Sequence, residues 1–260
     1  VFGEGNHTAS NAPNVWGNYS KIRKANLFIE KITTSNLADN WKKTRMAEAR
    51  FLRAYFYAQL WNYYGGVPII TKVLNQAEQG DEIFYARSSF DETYKFIIDE
   101  LDAISSDLTL KPESGRASRG AGLTLKGWCE LFAASPLNNL SSDKNKWELA
   151  AGTYKQVMDL GVYDLFPDHR ALFLEENNNN VEVIFDKPYY RNNSITAVMG
   201  PSYVGSEYRG YGFSNPTQEL VDTYLMANGL LISDPLSGYD PENPAAAACV
   251  TAGGTGRAAA

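Results

Sequence analysis

Up to Gly161 the apolar positions recur every three to four residues, the spacing of helices that bury one face. Trp16, Tyr19, Ile22 and Ile29 predict a helix over 16–33, broken by the Ser, Asn and Asp of 34–40. The densest apolar stretch follows over 41–64. It is rich in Ala, Leu, Glu and Arg and holds no Gly or Pro. Two adjoining stripes, Phe51/Tyr55/Ala58/Trp61 and Leu52/Phe56/Leu60/Tyr63, predict that this is the most buried helix and packs on at least two neighbours. Gly65 and Gly66 permit the left-handed turn that stops it, and Pro68 forbids its resumption.

Residues 65–87 read as an extended loop. Ser89 and Glu92 form a capping box ahead of Tyr94, Ile97, Ile98, Leu101 and Ile104. Leu123, Leu125, Trp128, Leu131 and Phe132 mark a helix over 118–134 ended by Pro136, and a fifth runs over 147–160. Five helices with short connections predict a mainly α fold of stacked antiparallel hairpins. It is like tetratricopeptide repeats with an irregular period, with long irregular loops and little strand. Beyond Gly161 the pattern changes. The alternation Val181–Phe185 predicts one strand, 186–214 a long irregular loop, and Asn215-Pro216-Thr217-Gln218 a helix capped by Asn215 and running to Gly229. The expected division is a helical-repeat region at 1–165, a loop-rich region at 166–244 and an Ala/Gly tail at 245–260. The tail has no period and reads as foreign to the natural sequence.

The net charge of −6 gives no electrostatic reason to bind nucleic acid. Two cysteines, Cys129 on a helix face and Cys249 in the tail, make neither a disulfide framework nor a zinc site. No run of about 18 apolar residues occurs. The opening Val1-Phe2-Gly3 has no initiator Met, signal peptide or lipidation Cys, and so reads as a start partway into a longer protein. His7 and His169 stand outside any motif, and no hydrolase elbow, phosphate loop or HExxH is present. Glu175-Glu176 reads as solvated loop. The expectation is a binding protein, not an enzyme, with no cofactor and no metal.

Aromatic rings carry the positive signal. Tyr189, Tyr190, Tyr203, Tyr208, Tyr211 and Phe213 belong to no helical or strand period, and Arg191, Asn192, Asn193 and Arg209 lie among them. Flat rings suit the C–H faces of sugars, while fork-like Arg and Asn groups suit hydroxyls. The same rings could instead pin a coreless loop onto the repeats. Trp16, at a helix start, is a further candidate platform, although its spacing to Tyr19 and Ile22 is equally that of a packing face. A ring covering ~50–100 Å² of ligand contributes about 1–2 kcal/mol, so two or three rings give affinity of about millimolar to micromolar.

The phrases Trp16…Tyr19…Ile22-Arg23…Asn26, Ala47-Glu48-Ala49-Arg50-Phe51-Leu52-Arg53-Ala54-Tyr55 with Tyr64-Gly65-Gly66-Val67-Pro68, and Gly115-Arg116-Ala117-Ser118 occur in one order. So do Gly161-Val162-Tyr163, Glu182-Val183-Ile184-Phe185 and Gln218-Glu219-Leu220-Val221-Asp222. Over about 16–244 this ordered set resembles the SusD/RagB family of surface nutrient-binding lipoproteins. The resemblance implies an extracellular glycan-binding protein, lipid-anchored at the outer membrane of Bacteroidetes-type bacteria. It would deliver nutrient to a SusC-like TonB-dependent β-barrel transporter. The alternatives are an oligopeptide-binding protein of the RagB kind and a helical-repeat scaffold that binds only protein. The family continues with an Arg-Asp-Pro-Arg-like stretch where the Ala/Gly tail stands here.

Overall fold

The computed structural model describes residues 8, 14–111, 113–188 and 217–241. It divides into two compact units, one of 1–164 with 181–186 and one of 165–180 with 187–260.

In the first unit the helices are α1 (Asn18–Thr33), α2 (Asp39–Tyr64), the single turn α3 (Gln76–Gln79), α4 (Phe90–Ile104), α5 (Arg119–Ala134) and α6 (Lys144–Asp159). The chain-order neighbours α1 and α2, α2 and α4, α4 and α5, and α5 and α6 pack together. Their side-chain pairings run antiparallel. Asn18 meets Gln59 while Asn26 meets Arg53, and Trp61 meets Phe90 while Arg53 meets Glu100. The expected mainly α architecture of helical hairpins is what the chain forms.

Local signals place the helix ends. The Ser89 hydroxyl accepts from the Glu92 N–H at 3.1 Å, and the Glu92 carboxylate accepts from the Ser89 N–H at 2.7 Å, which completes the capping box. Gly65 ends α2 at φ +69°, a conformation that a Cβ would strain. Its neighbour Gly66 passes so close to α4 that a Cβ there would lie 1.9 Å from the Ser88 carbonyl oxygen. The sequence after this stop is extended, as expected, apart from α3 and the 3₁₀ turn Gly80–Ile83. Side chains of α1, α2 and α4 hold it down. Tyr57 Oη accepts from the Ile70 N–H at 2.7 Å and donates to its carbonyl at 3.1 Å. Tyr19 Oη donates to the Pro68 carbonyl at 2.7 Å, and Thr93 Oγ1 accepts from the Val67 N–H at 3.2 Å.

The buried face of α2 differs from the expected stripes. Ala47, Phe51, Ala54, Ala58 and Trp61 line one row, with Arg53, Tyr57 and Leu60 beside it. Of the second expected stripe only Leu60 is buried. Leu52 and Tyr63 are exposed and Phe56 is half-buried under the Lys21 ammonium. Arg53 takes the interior position because a carboxylate from α4 neutralises it there. Its guanidinium donates to Glu100 Oε2 at 2.5 and 3.1 Å and to Asn26 Oδ1 at 2.8 Å, while Arg50 donates to Glu100 Oε1 at 2.8 Å. Asn26 in turn donates to the carbonyls of Ile70 and Lys72.

Helix α5 also presents an unexpected face. Ala121, Gly122, Gly127, Cys129 and Ala133 are buried, whereas Trp128 and Leu131 of the expected stripe are exposed. Small residues let α6 and Tyr163 approach closely. A Cβ on Gly120 would lie 2.4 Å from the Tyr163 ring, whose hydroxyl bonds the capping Ser118 at 2.9 Å. Glu130 is enclosed at the same interface, and neither carboxylate oxygen reaches hydrogen-bond geometry. Burial raises its carboxyl pKa. The nearby Thr153 hydroxyl and the Lys126 ammonium, 3.9 Å away, oppose this, and Asp102 adds to it.

No strand forms among the described residues, so the strand expected at 181–185 is corrected. That segment is turns and bends that return to the repeats. Val181 accepts from the Asp164 N–H, Ile184 accepts from Ser118, and Phe185 meets Phe51 edge-on at 5.2 Å. Ile184 packs against the core while Val181 and Phe185 are exposed, so the alternation here does not report sheet pairing.

The second unit holds 3₁₀ turns at Ala171–Phe173 and Glu175–Asn177 and the helix α7 (Gln218–Asp222). The cap of α7 is Thr217, whose hydroxyl accepts from the Leu220 N–H, and the helix is five residues long. The expected run to Gly229 is therefore corrected. The chain leaves the helix after Asp222 and makes a tight turn in which the Met226 N–H bonds the Leu230 carbonyl, with Gly229 at φ +79°. The expected cap Asn215, with Pro216, Cys249 and 245–260, lies outside the described residues.

Burial orders the expected stabilities. Phe51→Ala should cost about 3–5 kcal/mol and Phe56→Ala about 1–2 kcal/mol in urea unfolding, because only Phe51 is fully enclosed. Glu100→Leu strands a buried guanidinium and should cost about 3–5 kcal/mol, much of it recovered in Arg53→Met/Glu100→Leu. With its folded pKa raised, Glu130 binds a proton more tightly folded than unfolded. Its contribution is thus complete below the ordinary carboxylate pKa and declines as pH rises to the folded value. Thermal melts of Glu130→Gln across pH 4–8 should show this decline abolished and the protein stabilised at neutral pH.

Candidate functional site

Where α1 begins and α2 ends, four aromatic residues gather. The Trp16 ring lies flat on Tyr64, centroids 3.9 Å apart and planes within 8°, and Tyr19 is parallel to it at 6.2 Å. Tyr63 adjoins Tyr64 at 6.2 Å. Chain connectivity builds this shelf: α1 and α2 run antiparallel, so the residues before α1 meet the last turn of α2. The Tyr64 hydroxyl accepts from the Val15 N–H at 2.9 Å, which fixes the approach of the chain into Trp16. Arg87 closes the other side by donating to the carbonyls of Gly66, at 2.6 Å, and Tyr64.

Trp16 keeps 49% of its surface exposed and Tyr63 54%, whereas Tyr19 and Tyr64 are half-buried. Burial, reinforced by the neighbouring Tyr57, pushes the Tyr19 phenol well above its usual range, so it serves as a neutral donor to Pro68. Burial likewise pushes Tyr57 up to about 12. The layer under the shelf is therefore uncharged and hydrogen-bonded, and the rings above it stand on a stiff base.

Trp16 is the one expected site residue that is described. Both meanings of its spacing operate: Tyr19 and Ile22 continue inward while Trp16 stacks at the open edge. Tyr189, Tyr190, Arg191, Asn192, Tyr203, Tyr208, Arg209 and Tyr211 lie outside the described residues, as do Asn193 and Phe213. Tyr63 and Tyr64 complete the shelf; the sequence placed Tyr63 in a packing stripe and proposed neither as a site residue. Two tyrosines directly before a Gly-Gly helix stop were the available signal, since a helix end has fewer neighbours to cover a ring. Among the described residues no group of three or more His, Cys, Asp or Glu could hold a metal ion, and no helix is long and apolar enough to cross a membrane.

Antiparallel helical hairpins stacked in chain order define a helical-repeat protein. Residues 4–126 match the SusD-like family model described as "Starch-binding associating with outer membrane". A SusD-like protein of Bacteroides ovatus is 26% identical over 230 residues, covering 82% of this chain and 42% of that protein. The crystal structure of a SusD-like protein from Bacteroides fragilis is 32% identical with a TM-score of 0.72, over 84% of this chain and 42% of that one. The structure of a SusD-like carbohydrate binding protein from the same organism is 26% identical with a TM-score of 0.73, over 88% and 44%. The chain belongs to the SusD-like family, and it spans less than half the length of these relatives.

Proposed function

We propose that the protein is a non-enzymatic oligosaccharide-binding member of its family, working at the extracellular face of the outer membrane as a lipid-anchored partner of a SusC-like TonB-dependent transporter. The observation that carries the binding is the half-exposed Trp16 ring lying flat on Tyr64, a rigid platform with the shape of a pyranose face. A similar protein from Bacteroides fragilis, 26% identical, is described as carbohydrate binding, which supports the choice of ligand. We propose Tyr189, Tyr190, Arg191, Asn192, Tyr203, Tyr208, Arg209 and Tyr211 as further sugar-binding rings and donors. Stacking on two or three rings yields weak capture, about millimolar to micromolar, as delivery to a transporter requires.

Mixed oligosaccharides and mixed oligopeptides passed over the immobilised chain test this reading. Sugars should be retained, and Trp16→Ala should weaken that retention about tenfold with little change in melting temperature, since one ring face is worth about 1–2 kcal/mol. Retention of peptides alone would assign the oligopeptide role instead, and retention of neither would leave a protein-binding scaffold.

A further inference from the structure

The connection between α5 and α6 is inside out. Leu137 is 78% exposed and Leu140 90%, while Asn139 between them is 4% exposed. A solvated loop places its residues the other way round, amides outward and leucines inward. Here the amides are spent on the loop itself. Asn139 Nδ2 donates to the carbonyls of Ala134 at 3.3 Å and Asp143 at 3.0 Å. Its Oδ1 accepts from the Asp143 N–H at 3.0 Å and the Ser141 hydroxyl at 3.3 Å. Asn138 Nδ2 donates to the Phe132 carbonyl at 3.0 Å. Two reverse turns, Asn138 N–H to Ser135 and Ser142 N–H to Asn139, both at 2.9 Å, complete the knob. Ser142 is held at φ +53°, a left-handed conformation uncommon outside glycine. The loop is thus built stiff, with two leucines projecting from it.

One cation is fixed beside them. Lys146 Nζ lies 3.5 Å from the carbonyl of Asn138, the residue after Leu137, and no carboxylate pairs with it among the described residues. Asp143 spends its own carboxylate on capping α6, where it accepts from the Asn145 N–H at 3.0 Å. An apolar tip with an ammonium at its base suits a lipid surface, where leucine enters hydrocarbon and the ammonium meets lipid phosphate. Fluid hydrocarbon also needs no preformed pocket to accept projecting side chains.

Resting on the outer-membrane placement proposed above, we infer that this knob is a lipid-contacting tip, with Leu137 and Leu140 in the bilayer and Lys146 at the phosphates. Each leucine strengthens membrane contact about tenfold, too little to hold a protein alone. The knob therefore orients a chain that is anchored by other means.

The test uses the full chain with a hexahistidine tag, held by nickel-chelating lipid on phosphatidylcholine vesicles with or without phosphatidylglycerol. In Leu140→Cys/Cys249→Ser the new thiol takes a nitrobenzoxadiazole dye, while Cys129, 0% exposed, does not. On vesicles the dye should brighten, shift to the blue and be quenched by nitroxide lipids. The same dye at Phe84→Cys, an exposed position elsewhere, should stay water-like. Leu137→Ser/Leu140→Ser should leave the vesicles about tenfold faster or more, with an unchanged melting temperature, since both leucines are exposed. Lys146→Gln should speed release about fivefold from the anionic vesicles alone, an effect that salt removes. A water-like dye at position 140, equal signals at 84 and 140, or a double variant that leaves as slowly as the parent would overturn the inference. So would sedimentation showing the parent a dimer and the double variant a monomer, which assigns the knob to a second copy. Oligosaccharide retention should be unchanged in the double variant, so the membrane contact and the glycan reading can each fail without the other.

Discussion

Helices α1, α2 and α4 converge on the Arg53–Glu100 pair. A guanidinium 6% exposed is tolerable only with a carboxylate opposite it, and Glu100 of α4 supplies that charge. Asn26 of α1 takes the remaining guanidinium edge and passes its own protons to the carbonyls of Ile70 and Lys72. One cluster thus fixes three helices and the extended chain after α2. An apolar contact could slide along a helix at small cost. A guanidinium that gives two bonds to one carboxylate oxygen and a third to Asn26 cannot, so the register of α1 and α4 on α2 is set here.

The shelf follows from that register. With Asn26 opposite Arg53, antiparallel packing carries Asn18 to Gln59 and Trp16 to Tyr64. Just past the last turn of α2, Gly66 passes close to the Ser88 carbonyl. Rings at that turn remain open on one side, and the tyrosines below them stay neutral and bonded to backbone. The charged interior and the aromatic rim are two ends of one alignment.

Helix α5 solves a different packing problem. Its buried face of Ala and Gly draws α6 and Tyr163 close and leaves Trp128 and Leu131 outside. Close approach encloses Glu130 with neither carboxylate oxygen in a hydrogen bond, and this burial raises its carboxyl pKa. The larger apolar residues of a helix are not automatically its inner ones. Where backbones meet closely, small residues go inside.

The sequence by itself determined the helices, their order and most of their ends. Ser89 with Glu92, Gly65 with Gly66, and the three-to-four spacing of Ile97, Leu101 and Ile104 act through neighbours a few residues away. The family resemblance was legible for the same reason, as short phrases kept in order. Tertiary structure alone decided which face of α2 is covered, because a helix apolar on several sides has no preferred inside until its neighbours are placed. It decided that Arg53 is buried, since its partners lie 27 and 47 positions away and hydropathy assigns a charge to solvent. It also turned 181–185 from an expected strand into an anchoring segment, because the contacts of Ile184 and Phe185 are made with helices and no partner strand is present among the described residues. Trp16 shows the limit within one residue: its spacing fits both a packing face and a platform, and only the tertiary structure shows it stacked on Tyr64 with about half of the residue exposed.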